Sequence, residues 1–139
     1  MHFRAGECDE RLLFKHPLRR EPFLQDARRL FPTISTGQIM GYVTATTLTN
    51  IFYISKRQTR SVAQARQAVS ETLIVMEICL VDRATLEQAF GLTNVSDFED
   101  AVQIACAINQ GLDAIVIRDQ RDFLNSPIPV TSIADLFPQ

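Results

Sequence analysis

The stretch SDFEDAVQIACAINQGLDAIVIRD, residues 96–119, limits what this chain can fold into more than any other part of it. It sets an apolar helical pattern, Ala101 to Ile108, a few residues before AIVI, a run with no polar residue. A run that short and that uniformly apolar predicts a strand buried on both faces of its sheet. Ser96 followed by Glu99 forms a capping box, so the helix is expected to begin at Asp97, and Gly111 to stop it. A helix apolar on most sides packs centrally, and a strand of this kind needs helices over both sheet faces.

The rest of the chain repeats the alternation. EPFLQDARRLFPTISTG predicts a helix, with Pro22 near its first turn and Gly37 at its end. MGYVTA reads as a short strand and TTLTNIFYISKR as a helix burying Leu48, Ile51, Phe52 and Ile54. SVAQARQAVSETL reads as a helix N-capped by Ser61, IVMEICLVD as a buried strand and RATLEQAFG as a helix closed by Gly91. IPVTS gives a further strand before a helical turn at SIADLF. The opening twenty residues are charge-dense and lack an alternating pattern; Leu12, Leu13 and Phe14 form only a short apolar cluster. Residues 1–18 are therefore expected to be an irregular segment, with room for one helical turn, ahead of a single domain over 19–139. Apolar strands alternating with helices predict α/β layers around a mostly parallel sheet. Ligands gather at the C-terminal ends of such strands, and Asp119 stands at one of them.

The chain has 139 residues, 46% of them hydrophobic and 22% charged, which describes an ordinary globular domain. A net charge of −2 argues against a non-specific nucleic-acid binder. It leaves room for an enzyme that cuts nucleic acid, with an acidic site beside a local basic rim. Cys8, Cys79 and Cys106 are an odd number with no CxxC pair, as expected of reduced thiols; the last two sit in apolar segments as core filler. His2 and His16 have no Ser or Cys setting that suggests nucleophilic catalysis, and no nucleotide-binding glycine motif occurs. No apolar run approaches the ~20 residues needed to cross a bilayer, and no signal-peptide core is present, so the expected location is cytoplasmic.

The carboxylates of the opening stretch admit two readings. Asp97 and Asp100 are three residues apart and share one face of the first helical turn, while Asp119 ends the strand that follows. As caps and surface charges they complement the helix dipole, and Asp122 serves as a turn residue. If instead they converge, a hard cation such as Mg²⁺ or Mn²⁺ would relieve their repulsion and could activate water against a phosphate.

TATTLTNIFYISKR together with DFEDAVQIACAINQGLDAIVIRDQRDFLNSPIPV resembles the PIN domain family, and most of all its bacterial toxin-type members from toxin–antitoxin pairs. The resemblance covers residues 19–137. It implies a three-layer α/β/α sandwich, Mg²⁺- or Mn²⁺-dependent cleavage of single-stranded RNA, a homodimer, and inhibition by an antitoxin protein. On this resemblance Asp100 matches the acid at the start of the central helix and Asp119 the residue closing the next strand. Asp97 matches an extra acid, and Asp122 with Phe123 a structural pair. The family's second acid falls at Asn50, an amide oxygen without charge, and Ile117 stands where a threonine often helps hold the site. The family's opening strand ends in its first catalytic acid, which by spacing back from RREPF falls at Asp9. FRAGE, ahead of Asp9, is no apolar strand, and Pro17 interrupts the usual following helix. The N-terminal strand is therefore expected to be missing or degraded, which leaves open a degenerate module that binds nucleic acid or protein without cutting. Arg19, Arg20, Arg28 and Arg29 and Lys56, Arg57, Arg60 and Arg66 could supply phosphate contacts, although a solvated helix face is the commoner fate of such charges. Tyr42 and Tyr53 could stack on bases, although apolar packing is the commoner use.

Overall fold

The computed structural model of the chain describes residues 10–14, 32, 34, 37, 39–117, 126–132 and 135. The described residues form five strands, β1 (Glu10–Phe14), β2 (Ile39–Thr44), β3 (Glu77–Cys79), β4 (Ala114–Ile117) and β5 (Val130–Ser132), and four helices. These are α1 (Ala45–Thr59), α2 (Val62–Val75), α3 (Arg83–Phe90) and α4 (Phe98–Gln110). The strands make one sheet in the order β3-β2-β1-β4-β5, with every pairing parallel. Apolar side chains fill both faces. Leu13, Tyr42, Ile115 and Ile117 pack with α4 on one side, and Leu12, Phe14, Val43 and Val116 pack with Ile34 and Met76 on the other. This is the layered α/β fold that the alternation of elements predicts.

The N-terminal segment departs from expectation. Residues 10–14, placed by sequence in an irregular arm, form the central strand, and both Leu12 and Leu13 are 0% exposed. The strand is neither missing nor degraded. Two charges in ERLLF hide it from a hydrophobicity reading, and the fold accommodates both. Glu10 sits at the exposed start of the strand. Arg11 donates its backbone N–H to Asp113 Oδ2 at 2.8 Å, and its guanidinium donates to the Tyr42 hydroxyl at 3.0 Å while lying 5.4 Å from that ring's centroid. The apolar stem is covered while the charged head reaches polar groups. Gly41, paired with Leu12, is equally constrained: a Cβ there would come within 2.5 Å of Met76 Sδ and 3.2 Å of Phe14 Cε1.

Two boundaries also move. Of IVMEICLVD only Glu77–Cys79 pairs, at the sheet edge, because Ile74 and Val75 complete α2. Ile78 is 39% and Leu80 73% exposed, so this strand is not the buried one expected. The cap of α4 is Asp97 itself, whose Oδ1 accepts from the Asp100 N–H at 3.1 Å, so the helix starts one residue later than the capping box implied. Ser61 caps α2, and Gly111, at φ 65°, closes α4 as expected. In α1 only Ile51 of the four expected apolar residues is buried; Leu48, Phe52 and Ile54 are half-buried. Of the expected helix over residues 21–37 only Pro32, Ile34 and Gly37 are described, and most of the terminal turn lies outside the described residues.

Candidate functional site

Chain order reverses at the middle of this sheet. From β1 the chain steps outward to β2 and β3, and it returns on the other side of β1 as β4 and β5. A parallel sheet opens a crevice beyond the C-terminal ends of its strands at such a switch point. Leu13 pairs with Tyr42 and Phe14 with Val116, so Thr44 and Ile117 stand one residue past Phe14 at this edge. Thr44 shares its face with Tyr42, the face covered by α4.

At that edge a buried polar cluster joins three elements. Thr44 ends β2 and caps α1, its Oγ1 accepting from the Thr47 N–H at 3.3 Å. Gln103 of α4 donates from Nε2 to the same oxygen at 3.1 Å. Gln103 is 0%, Thr44 0% and Thr47 1% exposed, and the Gln103 Oε1 meets no hydrogen-bond donor. An unsatisfied buried carbonyl costs roughly 1–3 kcal/mol, so this amide is not placed for packing alone. None of the three residues was singled out in sequence. The available signal was a single amide, three residues after Asp100, inside the otherwise apolar run Ala101–Ile108.

Asp100 lies one turn before Gln103 and so on the same side of α4. It is 8% exposed, unlike its exposed neighbour Asp97. The helix dipole accounts for Asp97 and Glu99 in the first turn at ~0.3–1 kcal/mol each. It does not account for burying a carboxylate, which needs donors or a cation to offset lost hydration. Asn50 is half-buried on α1, one turn beyond Thr47. The structure therefore brings Asp97 and Asp100 together on one turn. Asp119 and Asp9 lie outside the described residues, as do Asp122 and Phe123. Glu10, which follows Asp9 in the chain, opens β1 roughly 13 Å from Phe14, toward the opposite edge of the sheet. The central strand ends at Phe14, and the next residue in sequence is Lys15, not an acid.

The donor set suits a hard cation: two carboxylates on one turn, an amide oxygen at Asn50, and threonine hydroxyls. Among the described residues no three His, Cys, Asp or Glu side chains group closely enough to hold a metal. Cys79 and Cys106 are buried, and the hydrogen bond to Cys79 together with burial pushes the Cys106 thiol far above its usual range. Tyr42 is 8% exposed and committed to Arg11, so it offers no stacking surface, whereas Tyr53 is 56% exposed. Lys56, Arg57, Arg60 and Arg66 are all exposed, and Arg19, Arg20, Arg28 and Arg29 lie outside the described residues. No described helix is long and apolar enough to cross a membrane.

The buried cluster makes an asymmetric prediction for urea unfolding. Thr44→Val strands the Gln103 amide and should destabilise by roughly 1–3 kcal/mol. Gln103→Met removes the orphaned carbonyl along with the hydrogen bond and should change stability by less than about 1 kcal/mol. Equal losses would mean that the amide is an ordinary satisfied core group.

The PIN domain family model matches residues 12–121, from inside β1 to just past β4. No curated protein matches the chain significantly in sequence. Among solved structures the chain is similar to VapBC2 from Rickettsia felis, crystallised bound to a DNA fragment from its promoter. That match has a TM-score of 0.62 at 10% identity, covering 88% of this chain and 98% of the other. It is also similar to PAE2754 from Pyrobaculum aerophilum, with a TM-score of 0.66 at 16% identity, covering 92% and 93% of the two chains. At such identities the likeness speaks for the fold, while the family match spans most of the sequence. The chain belongs to the PIN domain family.

Proposed function

We propose that this PIN domain is a metal-dependent endoribonuclease acting on single-stranded RNA, and that it is the toxin of a toxin–antitoxin pair. The observation that carries the reading is the burial of Asp100 at the C-terminal edge of a parallel sheet, beside a polar cluster that the core does not require. Asp100, Asp97 and Asp119 would hold Mg²⁺ or Mn²⁺, with Asn50 supplying an uncharged oxygen. A divalent cation bound there supplies the charge that makes a water nucleophilic at neutral pH and stabilises a phosphate under attack. The chain's own part is positioning. Asp97 fixes the first turn of α4 through the Asp100 N–H, which orients Asp100. Gln103 ties that helix to the end of β2 through Thr44, which sets the distance between α4 and Asn50 on α1.

The VapBC2 likeness supports an antitoxin partner. A homodimer is supported by large apolar side chains left in water: Ile74 is 79%, Leu80 73% and Phe90 80% exposed. A second reading has its own support. In sequence Lys15, not an acid, follows Phe14, where the central strand ends, and Asn50 carries no charge. With fewer acids the cation is held more weakly, and the protein would be a binding or interaction module that no longer cuts. A labelled single-stranded RNA separates the two. Cleavage that needs Mg²⁺ or Mn²⁺ and stops on chelation is the expected result, and intact RNA at millimolar Mn²⁺ would favour the degenerate module.

A further inference from the structure

The C-terminal half of α1 carries side chains that neither the core nor the carboxylates use. Tyr53, Lys56, Arg57, Arg60 and Val62 line a cleft of about 420 Å³ where α1 turns into α2. All its charged residues are cations, and among the described residues no carboxylate pairs with them. Tyr53 stands out into the cleft, 56% exposed, with its ring braced edge-on by Phe52, the centroids 5.1 Å apart and the planes at 89°.

Arg60 adds an independent observation. It closes α1 at φ 56° and ψ 32°, its N–H donating to Lys56 O at 2.7 Å. Among the described residues it is the one non-glycine at positive φ. A helix end of this form normally takes glycine, because a Cβ is strained there. Strain kept at an exposed arginine points to a use for its side chain. Lys56 and Arg57 would also sit well at a helix C-terminus for electrostatic reasons alone, but that explains neither the exposed tyrosine nor the strained arginine. Asn50, Tyr53 and Arg57 recur at i, i+3 and i+7, which sets them along one side of α1, and Arg60 joins the cleft just past the helix end. From Asn50 to Arg60 that side rises ~15 Å.

We propose that this cleft is a subsite for single-stranded RNA, in which a base stacks on Tyr53 while flanking phosphates lie among Lys56, Arg57 and Arg60. The strand then follows α1 past Asn50 toward the carboxylates. The proposal shares with the proposed function the choice of RNA as substrate, but it needs neither metal nor cleavage. Stacking on an aromatic face joined to cationic phosphate contacts is the general chemistry of single-strand binding.

The test is fluorescence anisotropy of a labelled single-stranded RNA octamer in EDTA, across a salt series, with melting curves for every variant. Lys56→Ala with Arg57→Ala should weaken binding and flatten the slope of log affinity against log salt by ~1.4, two phosphate contacts' worth. Tyr53→Ala should weaken binding about 10-fold with the slope unchanged. Arg60→Gly should raise the Tm by about 3 °C, relieving the strained backbone, yet weaken binding and flatten the slope by ~0.7. All variants should keep the wild-type response of Tm to Mn²⁺. A wild-type protein that ignores Mn²⁺ defeats the nuclease reading, while the anisotropy in EDTA still decides this one. Unchanged affinity and slope in the charge variants would overturn the proposal. So would a Glu-rich octapeptide displacing RNA from wild type and Tyr53→Ala equally, since that marks an acidic-peptide site.

Discussion

Leu13→Ala should lower the free energy of unfolding by about 3–4 kcal/mol, read from the urea midpoint at unchanged slope. Leu13 is 0% exposed in the central strand, against Tyr42, Ile115 and α4. Truncating a fully buried leucine removes its transfer free energy and leaves a cavity, a loss of roughly 2.7–5 kcal/mol where neighbours cannot collapse. Here collapse is hindered, because β1 is hydrogen-bonded on both sides, to β2 and to β4. An irregular N-terminal arm would give a very different result, since a surface substitution changes stability by about 0.5 kcal/mol or less. The same variant should lower Tm by roughly 10 °C.

Asp119→Ala should reduce Mn²⁺-dependent cleavage of single-stranded RNA by at least ~100-fold, a loss of about 2.7 kcal/mol of transition-state stabilisation. Loss of a group that merely supports a metal ligand costs 10–100-fold, so loss of a ligand should cost more. Asp119 follows Ile117 by two positions, and β4 ends at Ile117 beside the central strand. The expected change lies in kcat more than in KM, because the carboxylate would act on the reacting centre and not on the body of the RNA. Cleavage at the wild-type rate in Asp119→Ala would remove this residue from the site.

How much of this was legible in the sequence depended on how local the determinant was. The helix–strand unit from Asp97 to Ile117 could be read because its signals lie within a few residues: an acidic start, an apolar stripe, a glycine stop and an all-apolar run. β1 could not, because Glu10 and Arg11 look like surface residues until Tyr42 and Asp113, far away in the chain, are brought beside them. The length of β3 was overread for the opposite reason: IVMEICLVD is apolar at all but Glu77 and Asp82, and only the run of α2 to Val75 decides where a strand can begin. In the site, Asp97 and Asp100 announce themselves by spacing, whereas Gln103 and Thr44 act as a pair across 59 positions. Nothing local in either residue marks that pairing. Asp9, reached by counting back from RREPF, lies outside the described residues, one position before β1 opens at Glu10.

The central claim is that Asp100 helps to hold a divalent cation, and thermal melting with and without Mn²⁺ tests it most directly. A ligand present at 100 times its dissociation constant and bound only to the native state stabilises by about 2.7 kcal/mol, here a rise in Tm of roughly 5–10 °C. Wild type should show that rise, saturating with concentration, and Asp100→Asn should lose most of it. An equal rise in both proteins, or none in wild type, would contradict the account.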